Sequence, residues 1–248
     1  SDKFISVFGP RRQPKAEPTQ HHMDIAAALQ MRLESVVLNQ LGHARNEFGV
    51  SQICLAGGVA LNCSLNGKIE RSKLFDEIFV QPASGDAGVA LGACYLANRV
   101  KDKCFSPNES HNFYLGSVFD DKEVRDAFVS RGLTPKLSEN IHHTTAQKLA
   151  DGKIVGWFQG QAEFGPRALG NRSILTRPYP SDMKDYLNDR VKYREAFRPF
   201  APAVLYEYMN QYFEIQQATP HMLIASLATP LAREKIPATV HVDNSCRV

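Results

Sequence analysis

From Asp24 onward, apolar residues recur every three or four positions at Ile25, Leu29, Leu33, Val36, Val37, Leu41, Ala44 and Phe48, and the run stops at Gly49. That spacing predicts one long amphipathic helix closed by a glycine, a residue free to take the positive φ that helix C-termini favour. Beyond it the period changes. Gln52 to Leu55 and Glu77 to Val80 are apolar runs of strand length, the first expected to be buried. Gly57-Gly58 predicts a turn and Ala60 to Lys68 a helix; Pro82 to Gly85 predict a second turn and Ala87 to Arg99 a small-residue helix. Alternating helices and strands of this length imply a sheet covered by helices.

Residues 1 to 22 are polar and punctuated by prolines, so they are expected to form a loop, with His21-His22 solvated. The stretch from Asn98 to Gly116 is polar, carries Pro107 and has no period, which places a unit boundary at about 112 to 118. The pattern therefore divides the chain into residues 1–112, an α/β unit, and residues 113–248, a mixed α+β unit. In the second, Val124 to Val129, Thr145 to Ala150 and Ser181 to Arg190 predict helices. Lys153 to Phe158, Ala201 to Leu205 and Met222 to Leu227 predict strands.

Composition narrows the class. The chain has 248 residues, 43% hydrophobic and 22% charged, which is globular rather than disordered. No apolar run reaches the ~20 residues of a bilayer span, and Ser1-Asp-Lys-Phe-Ile-Ser lacks the order of a signal peptide, so a cytoplasmic protein is expected. Five cysteines without CxxC spacing argue against a disulfide framework or zinc site, and Cys63 reads as a small buried thiol. A net charge of +3 is too small for a general nucleic-acid surface.

The charge is local instead. Gly156-Trp-Phe-Gln-Gly-Gln-Ala-Glu-Phe-Gly-Pro-Arg-Ala-Leu-Gly-Asn-Arg-Ser173 and Lys192-Tyr-Arg-Glu-Ala-Phe-Arg-Pro-Phe-Ala-Pro202 combine glycines, prolines and cations, a composition that suits an anion better than a core. A guanidinium fork binds phosphate or carboxylate bidentately, so Arg167, Arg172 and Arg198 are candidate catalytic cations. Lys192 and Arg194 are candidates for phosphate contacts. Asn171 and Ser173 can add neutral hydrogen bonds, and Glu163 can orient an arginine. Trp157, Phe158, Phe164, Phe197 and Phe200 flank the charges and imply packing, while Asp182, Asp185, Asp189 and Glu195 can neutralise only part of the set. Near the N-terminus, Gly57-Gly58 before a helix allows close backbone approach to a phosphate. Asp86, in Ser84-Gly-Asp-Ala-Gly88, is either an N-cap or a ligand.

These two blocks, with Cys54-Leu-Ala-Gly-Gly-Val-Ala-Leu-Asn62 and Gln81-Pro-Ala-Ser-Gly-Asp-Ala-Gly88 in the first, resemble the NodU/CmcH family of O-carbamoyltransferases, in the family's order. The resemblance implies the second half of an actin or sugar-kinase-like domain followed by a YrdC-like domain. It implies carbamoyl adenylate formation from carbamoyl phosphate and ATP with Mg2+, then transfer to a hydroxyl of a small natural product or sugar. By the same resemblance, Gly57, Gly58 and Asn62 line a nucleotide or adenylate pocket, with Asn66 and Lys68 as further candidates or solvated helix residues. Asp86 becomes a ligand of a divalent metal, with iron a candidate, whose two histidine ligands are absent here. Relative to the family both ends are expected to be incomplete. Two alternatives stay open: an enzyme of tRNA adenosine carbamoylation and a catalytically incomplete nucleotide-binding scaffold. The acceptor and oligomeric state are not legible.

Overall fold

A computed structural model describes residues 2–14, 16–104 and 112–248. Helix α1 (Asp2–Phe8) and helix α2 (Gln20–Phe48) open the chain. The expected N-terminal loop is thus partly helical, and α2 starts at Gln20 rather than Asp24. Its start is fixed by a reciprocal cap, in which Thr19 and His22 exchange backbone and side-chain hydrogen bonds. Thr19 thereby supplies the stop that a count of apolar positions cannot see. At the other end Gly49 takes φ 63° and its N–H reaches the carbonyl of Arg45. The predicted stripe is only partly used: Leu33, Val37 and Leu41 pack inward, whereas Leu29 is 71% exposed.

Strands β1 (Gln52–Leu55) and β2 (Glu77–Val80) fall where the pattern put them and pair in parallel, Gln52 opposite Glu77 and Leu55 opposite Val80. β1 is half-exposed rather than buried. The expected helix after the glycine turn is split into a 3-10 turn over Gly58–Leu61 and helix α3 (Cys63–Ser72). Asn62 causes the split by capping α3, its Oδ1 accepting from the N–H of Leu65 at 3.0 Å. Helix α4 (Asp86–Lys101) buries none of its residues, with Val89, Leu96 and Val100 at 67%, 65% and 76% exposure, so it does not cover the sheet as the alternation implied.

Pro107 lies outside the described residues. The chain continues through helices α5 (Asp121–Val129) and α6 (Ile141–Ala150) to an antiparallel pair, strand β3 (Val155–Phe158) and strand β4 (Arg172–Leu175), in which Phe158 faces Arg172. Helix α7 (Met183–Leu187) runs into a π turn over Asn188–Lys192. Ala201 to Leu205 forms no strand; helix α8 (Met209–Tyr212) follows instead. Strand β5 (Ala225–Leu227), helix α9 (Pro230–Lys235) and strand β6 (Ser245–Arg247) complete the described chain, with β5 and β6 antiparallel.

Apolar side chains gather in two cores. Leu65, Ile69, Phe75, Ile78 and Val80 form one beneath α2, and Phe213, Ile215, Ile224, Ala232 and Cys246 form the other around β5 and β6. Burial of Cys246 pushes its thiol up to about 11.

The two are joined by a tight seam. Leu223 belongs to the first core, and the buried Asn66 donates from Nδ2 to the carbonyls of Ala60 and Leu223, each at 2.8 Å. Arg71 reaches the carbonyl of Ala225 at 2.8 Å. Gln217 spans the free edge of β2, accepting from the N–H of Ile78 and donating to its carbonyl. Gly67 is what permits the approach, because a Cβ there would stand 2.0 Å from the carbonyl oxygen of Ala225.

Candidate functional site

The two motif blocks meet in space. Gly57 donates to the carbonyl of Ser84 at 2.9 Å, so both glycine turns lie side by side beyond the C-terminal ends of β1 and β2. The loop from the second block packs onto them: Gly165 takes φ 127°, and a Cβ there would lie 2.9 Å from the carbonyl oxygen of Pro82. Any other residue would strain this contact.

Within the first block the polar groups are mostly spoken for. Asn62, besides capping α3, exchanges amide hydrogen bonds with Gln30, donating at 2.8 Å and accepting at 3.2 Å. Glu34, buried on α2, accepts from Gln30 at 2.7 Å and pairs with Lys68. Asn66 is fully buried rather than solvated, so it belongs to the seam. Cys63 is half-buried rather than buried.

Asp86 is not the N-cap. Gly85 holds that position without a side-chain bond, and Asp86 is the first, exposed residue of α4. Its side chain has no hydrogen bond or ion pair among the described residues. Nor do the described residues bring three His, Cys, Asp or Glu side chains together for a metal. Asp86 alone, one exposed carboxylate, is too few ligands to hold a metal ion with the described residues.

In the second block the loop is built around Glu163. Its Oε1 accepts from the backbone N–H groups of Leu169, Asn171 and Arg172 at 2.7, 2.8 and 3.2 Å. Burial pushes this carboxyl up, but those donors outweigh it and hold it below its usual pKa. Glu163 therefore orients the loop's backbone rather than an arginine side chain. Asn171 is similarly committed, donating to the carbonyl of Gln161 at 2.7 Å and accepting from Gln159 at 3.0 Å.

Arg172 donates to the carbonyls of Gln159, Asn171 and Gly160 at 2.7, 2.9 and 3.1 Å, and its guanidinium lies 3.5 Å from the centre of the Phe158 ring. It holds the loop against β3 and does not line the cavity described next. Phe158 and Phe197 are 56% and 68% exposed, so the packing that the aromatics implied holds for Trp157, Phe164 and Phe200 alone.

A cavity of about 630 Å³ opens between this loop, the segment after the π turn and the end of β6. Arg167, Lys192, Arg194 and Arg247 line it together with Ser173, and no acidic side chain does. Arg194 is held in place by Asn188 Oδ1 at 2.6 Å, by the carbonyl of Pro199 at 3.1 Å and by the Phe200 ring, 4.4 Å away. Burial, then the charge of Arg198, lowers its pKa. Ser173 accepts from the N–H of Gly170 at 3.0 Å.

The side chains of Arg167 and Arg247 differ from Arg194: neither has a partner among the described residues, and the Nε of each is buried. Arg198 stands on a second, open cavity of about 500 Å³ shared with Arg194, and pairs with Glu195 at 3.7 Å. Nearby acids pair with Lys184, Arg190 and Arg198, at 3.4, 3.4 and 3.7 Å; Arg194 feels the charge of Glu195, while Arg167, Lys192 and Arg247 have no ion pair among the described residues. Arg247 escapes sequence reading because it sits alone in a short terminal strand, where no cluster of basic or glycine residues flags it.

Comparison with known proteins fits these two blocks. Residues 1–95 match the family model described as the carbamoyltransferase N-terminus, and residues 146–248 match that of the carbamoyltransferase C-terminus. An uncharacterized protein of Synechocystis is 41% identical over 99% of this chain and 45% of its own length. Nodulation protein NolO of Bradyrhizobium diazoefficiens is 40% identical over 93% of this chain and 43% of its own length. Nodulation protein U of the same organism is 35% identical over 91% and 38%. The chain belongs to the carbamoyltransferase family, and it spans less than half the length of these relatives. No described helix is long and apolar enough to cross a membrane.

Proposed function

We propose that this chain is the part of an ATP-dependent O-carbamoyltransferase that binds carbamoyl phosphate and ATP and forms carbamoyl adenylate. Residues 1–112 would then be half of an actin or sugar-kinase-like unit, and residues 113–248 a YrdC-like unit. One observation carries the reading: four cations line a single cavity with no acidic side chain among them, and Arg167, Lys192 and Arg247 make no side-chain hydrogen bond or ion pair among the described residues. Like charges gathered around one cavity repel, and the half-buried Arg167 and Arg247 each leave a buried Nε–H unused, so the arrangement suits a polyanion that satisfies them on arrival.

In this chemistry water releases carbamate and orthophosphate from carbamoyl phosphate. Carbamate oxygen then attacks the α-phosphorus of ATP, and pyrophosphate leaves. The acceptor's hydroxyl oxygen finally attacks the carbamoyl carbon, and AMP leaves. Cations fixed where phosphate charge gathers lower the barriers to the first two steps, the role assigned to Arg167, Lys192 and Arg194. Mg2+ would accompany ATP. The final acceptor, a small hydroxyl compound, and any metal that aids transfer fall outside what these residues define.

Incubating the purified chain with carbamoyl phosphate, ATP and Mg2+ while following pyrophosphate release tests the reading. Release dependent on carbamoyl phosphate is expected. A chain that neither releases pyrophosphate nor binds either compound by titration calorimetry would contradict it.

A further inference from the structure

Arg167 is placed by its backbone alone. Arg194 is held at the cavity by Asn188, the carbonyl of Pro199 and the Phe200 ring, and Arg172 is tied to three carbonyls. The side chain of Arg167 makes no hydrogen bond or ion pair among the described residues, so where its guanidinium points depends on how residues 165–169 are fixed. A ligand gains most from a cation whose position is set before it arrives, because less freedom is lost on binding.

Two anchors bracket Arg167. On one side Gly165, at φ 127°, lies against the carbonyl of Pro82. On the other, both backbone polar groups of Leu169 are gripped: its N–H donates to Glu163 Oε1 at 2.7 Å, and its carbonyl accepts from the Tyr114 hydroxyl at 2.9 Å. Only Pro166, Arg167 and Ala168 lie between the anchors.

Tyr114 is itself firmly set. It forms an antiparallel bridge with Glu163, flanked by hydrogen bonds from the N–H of Phe164 to the carbonyl of Phe113 at 2.7 Å and from the N–H of Gly116 to the carbonyl of Ala162 at 3.0 Å. Gly116 permits the approach, since a Cβ there would stand 2.6 Å from that of Ala162. The Phe113 ring meets His221 edge-on at 5.2 Å, between Pro220 and Met222 of the cavity lining. Residues 113–116 thus brace two stretches of that lining without lining it themselves. Burial, then the charge of Glu163, pushes the phenol's pKa up, so it stays a donor at neutral pH.

We propose that Tyr114 is a positioning residue for anion binding: its hydroxyl fixes Leu169 and through it aims Arg167 into the cavity. The assignment rests on the reading of the cavity as an anion site and adds to it a residue that no ligand touches. A contact that the ligand feels only through Arg167 must stop mattering once Arg167 is gone.

The test is a double-mutant cycle, read by titration calorimetry of carbamoyl phosphate into the full chain as wild type, Tyr114→Phe, Arg167→Met and the two changes together. Tyr114→Phe keeps the ring, removes the donor and should weaken binding about fivefold. In the Arg167→Met background the same change should alter affinity by less than about twofold. Replacing Tyr114 by p-aminophenylalanine, which keeps a donor on the ring, should restore most of the lost affinity. Asn140→Ala, which removes the side-chain cap of α6, is the control for stability: it should lower the urea midpoint and leave affinity unchanged.

A Tyr114→Phe variant that binds carbamoyl phosphate as the wild type does would overturn the proposal and leave the anion-site reading standing. So would the same loss in both backgrounds, or an equal loss in Asn140→Ala, either of which would make Tyr114 a general support of the fold. A wild type that does not bind carbamoyl phosphate would remove the anion-site reading and this proposal together.

Discussion

The glycine turns of the first block and the arginine cavity of the second are both dense in polar side chains, and they spend them in opposite ways. Around the first turn, Asn62 caps a helix and pairs with Gln30, Asn66 ties two carbonyls across the seam, and Lys68 neutralises Glu34. Around the cavity, Arg167 and Arg247 hold buried nitrogen with no acceptor. Asn66 leaves its buried Oδ1 without a donor, but its amide N–H groups are used within the chain, whereas Arg167 and Arg247 make no side-chain hydrogen bond among the described residues and line a cavity that a ligand can enter. The same contrast operates within one loop. Arg167 and Arg172 are five positions apart, and only the second is fully engaged by backbone carbonyls.

The first way to break this comparison is to attack the seam that holds both regions. Gly67→Ala places a methyl group 2.0 Å from the Ala225 carbonyl oxygen, so α3 must move off β5. A loss of about 3 kcal/mol or more is expected in urea unfolding. Asn66→Ala leaves the carbonyls of Ala60 and Leu223 buried without a donor. It should cost about 2 kcal/mol by the same measurement.

Smaller effects sharpen the distinction within the second block. Arg172→Met removes three carbonyl contacts and a cation over the Phe158 ring, part of it exposed, and should cost about 1.5 kcal/mol of stability. Glu163→Gln keeps an acceptor but loses its charge, which should cost about 1 kcal/mol at neutral pH. The sign of the pH dependence follows from the lowered pKa. Stability from Glu163 is fully present above its ordinary value of 4.5 and is lost as pH falls through the lower folded value. The gap between wild type and Glu163→Gln should therefore close in acid, as urea midpoints measured between pH 7 and pH 3 would show.

Much of the local structure was legible because it rests on short-range signals. β1 and β2 were bounded correctly by their apolar runs, and Gly49 ended α2 as a left-handed cap. Errors arose where a side chain outside the pattern intervened: Thr19 extended α2 backward, and Asn62 cut the expected helix into a 3-10 turn and α3. Ala201 to Leu205, read as a strand from its composition, lines the cavity mouth through Val204 and its neighbours instead. In the site, residue type pointed to the right cations but not to their use. Nothing in the sequence distinguishes Arg172, tied to carbonyls in its own loop, from Arg167. Arg247 was invisible because its place depends on β6 pairing with β5, a contact between distant parts of the final segment and not a local motif.

The central claim is that within the second block's loop the unpartnered Arg167 binds the anion, whereas Arg172, spent on backbone carbonyls, builds the loop that holds it. Titration calorimetry of carbamoyl phosphate into Arg167→Met and Arg172→Met, run beside the wild type, tests it most directly. Arg167→Met should weaken binding at least ~10-fold, the loss of one hydrogen bond to a charged group. Arg172→Met should stay within roughly threefold of wild type, its cost appearing in stability instead. Equal losses in both variants, or a larger loss at Arg172, would contradict the account.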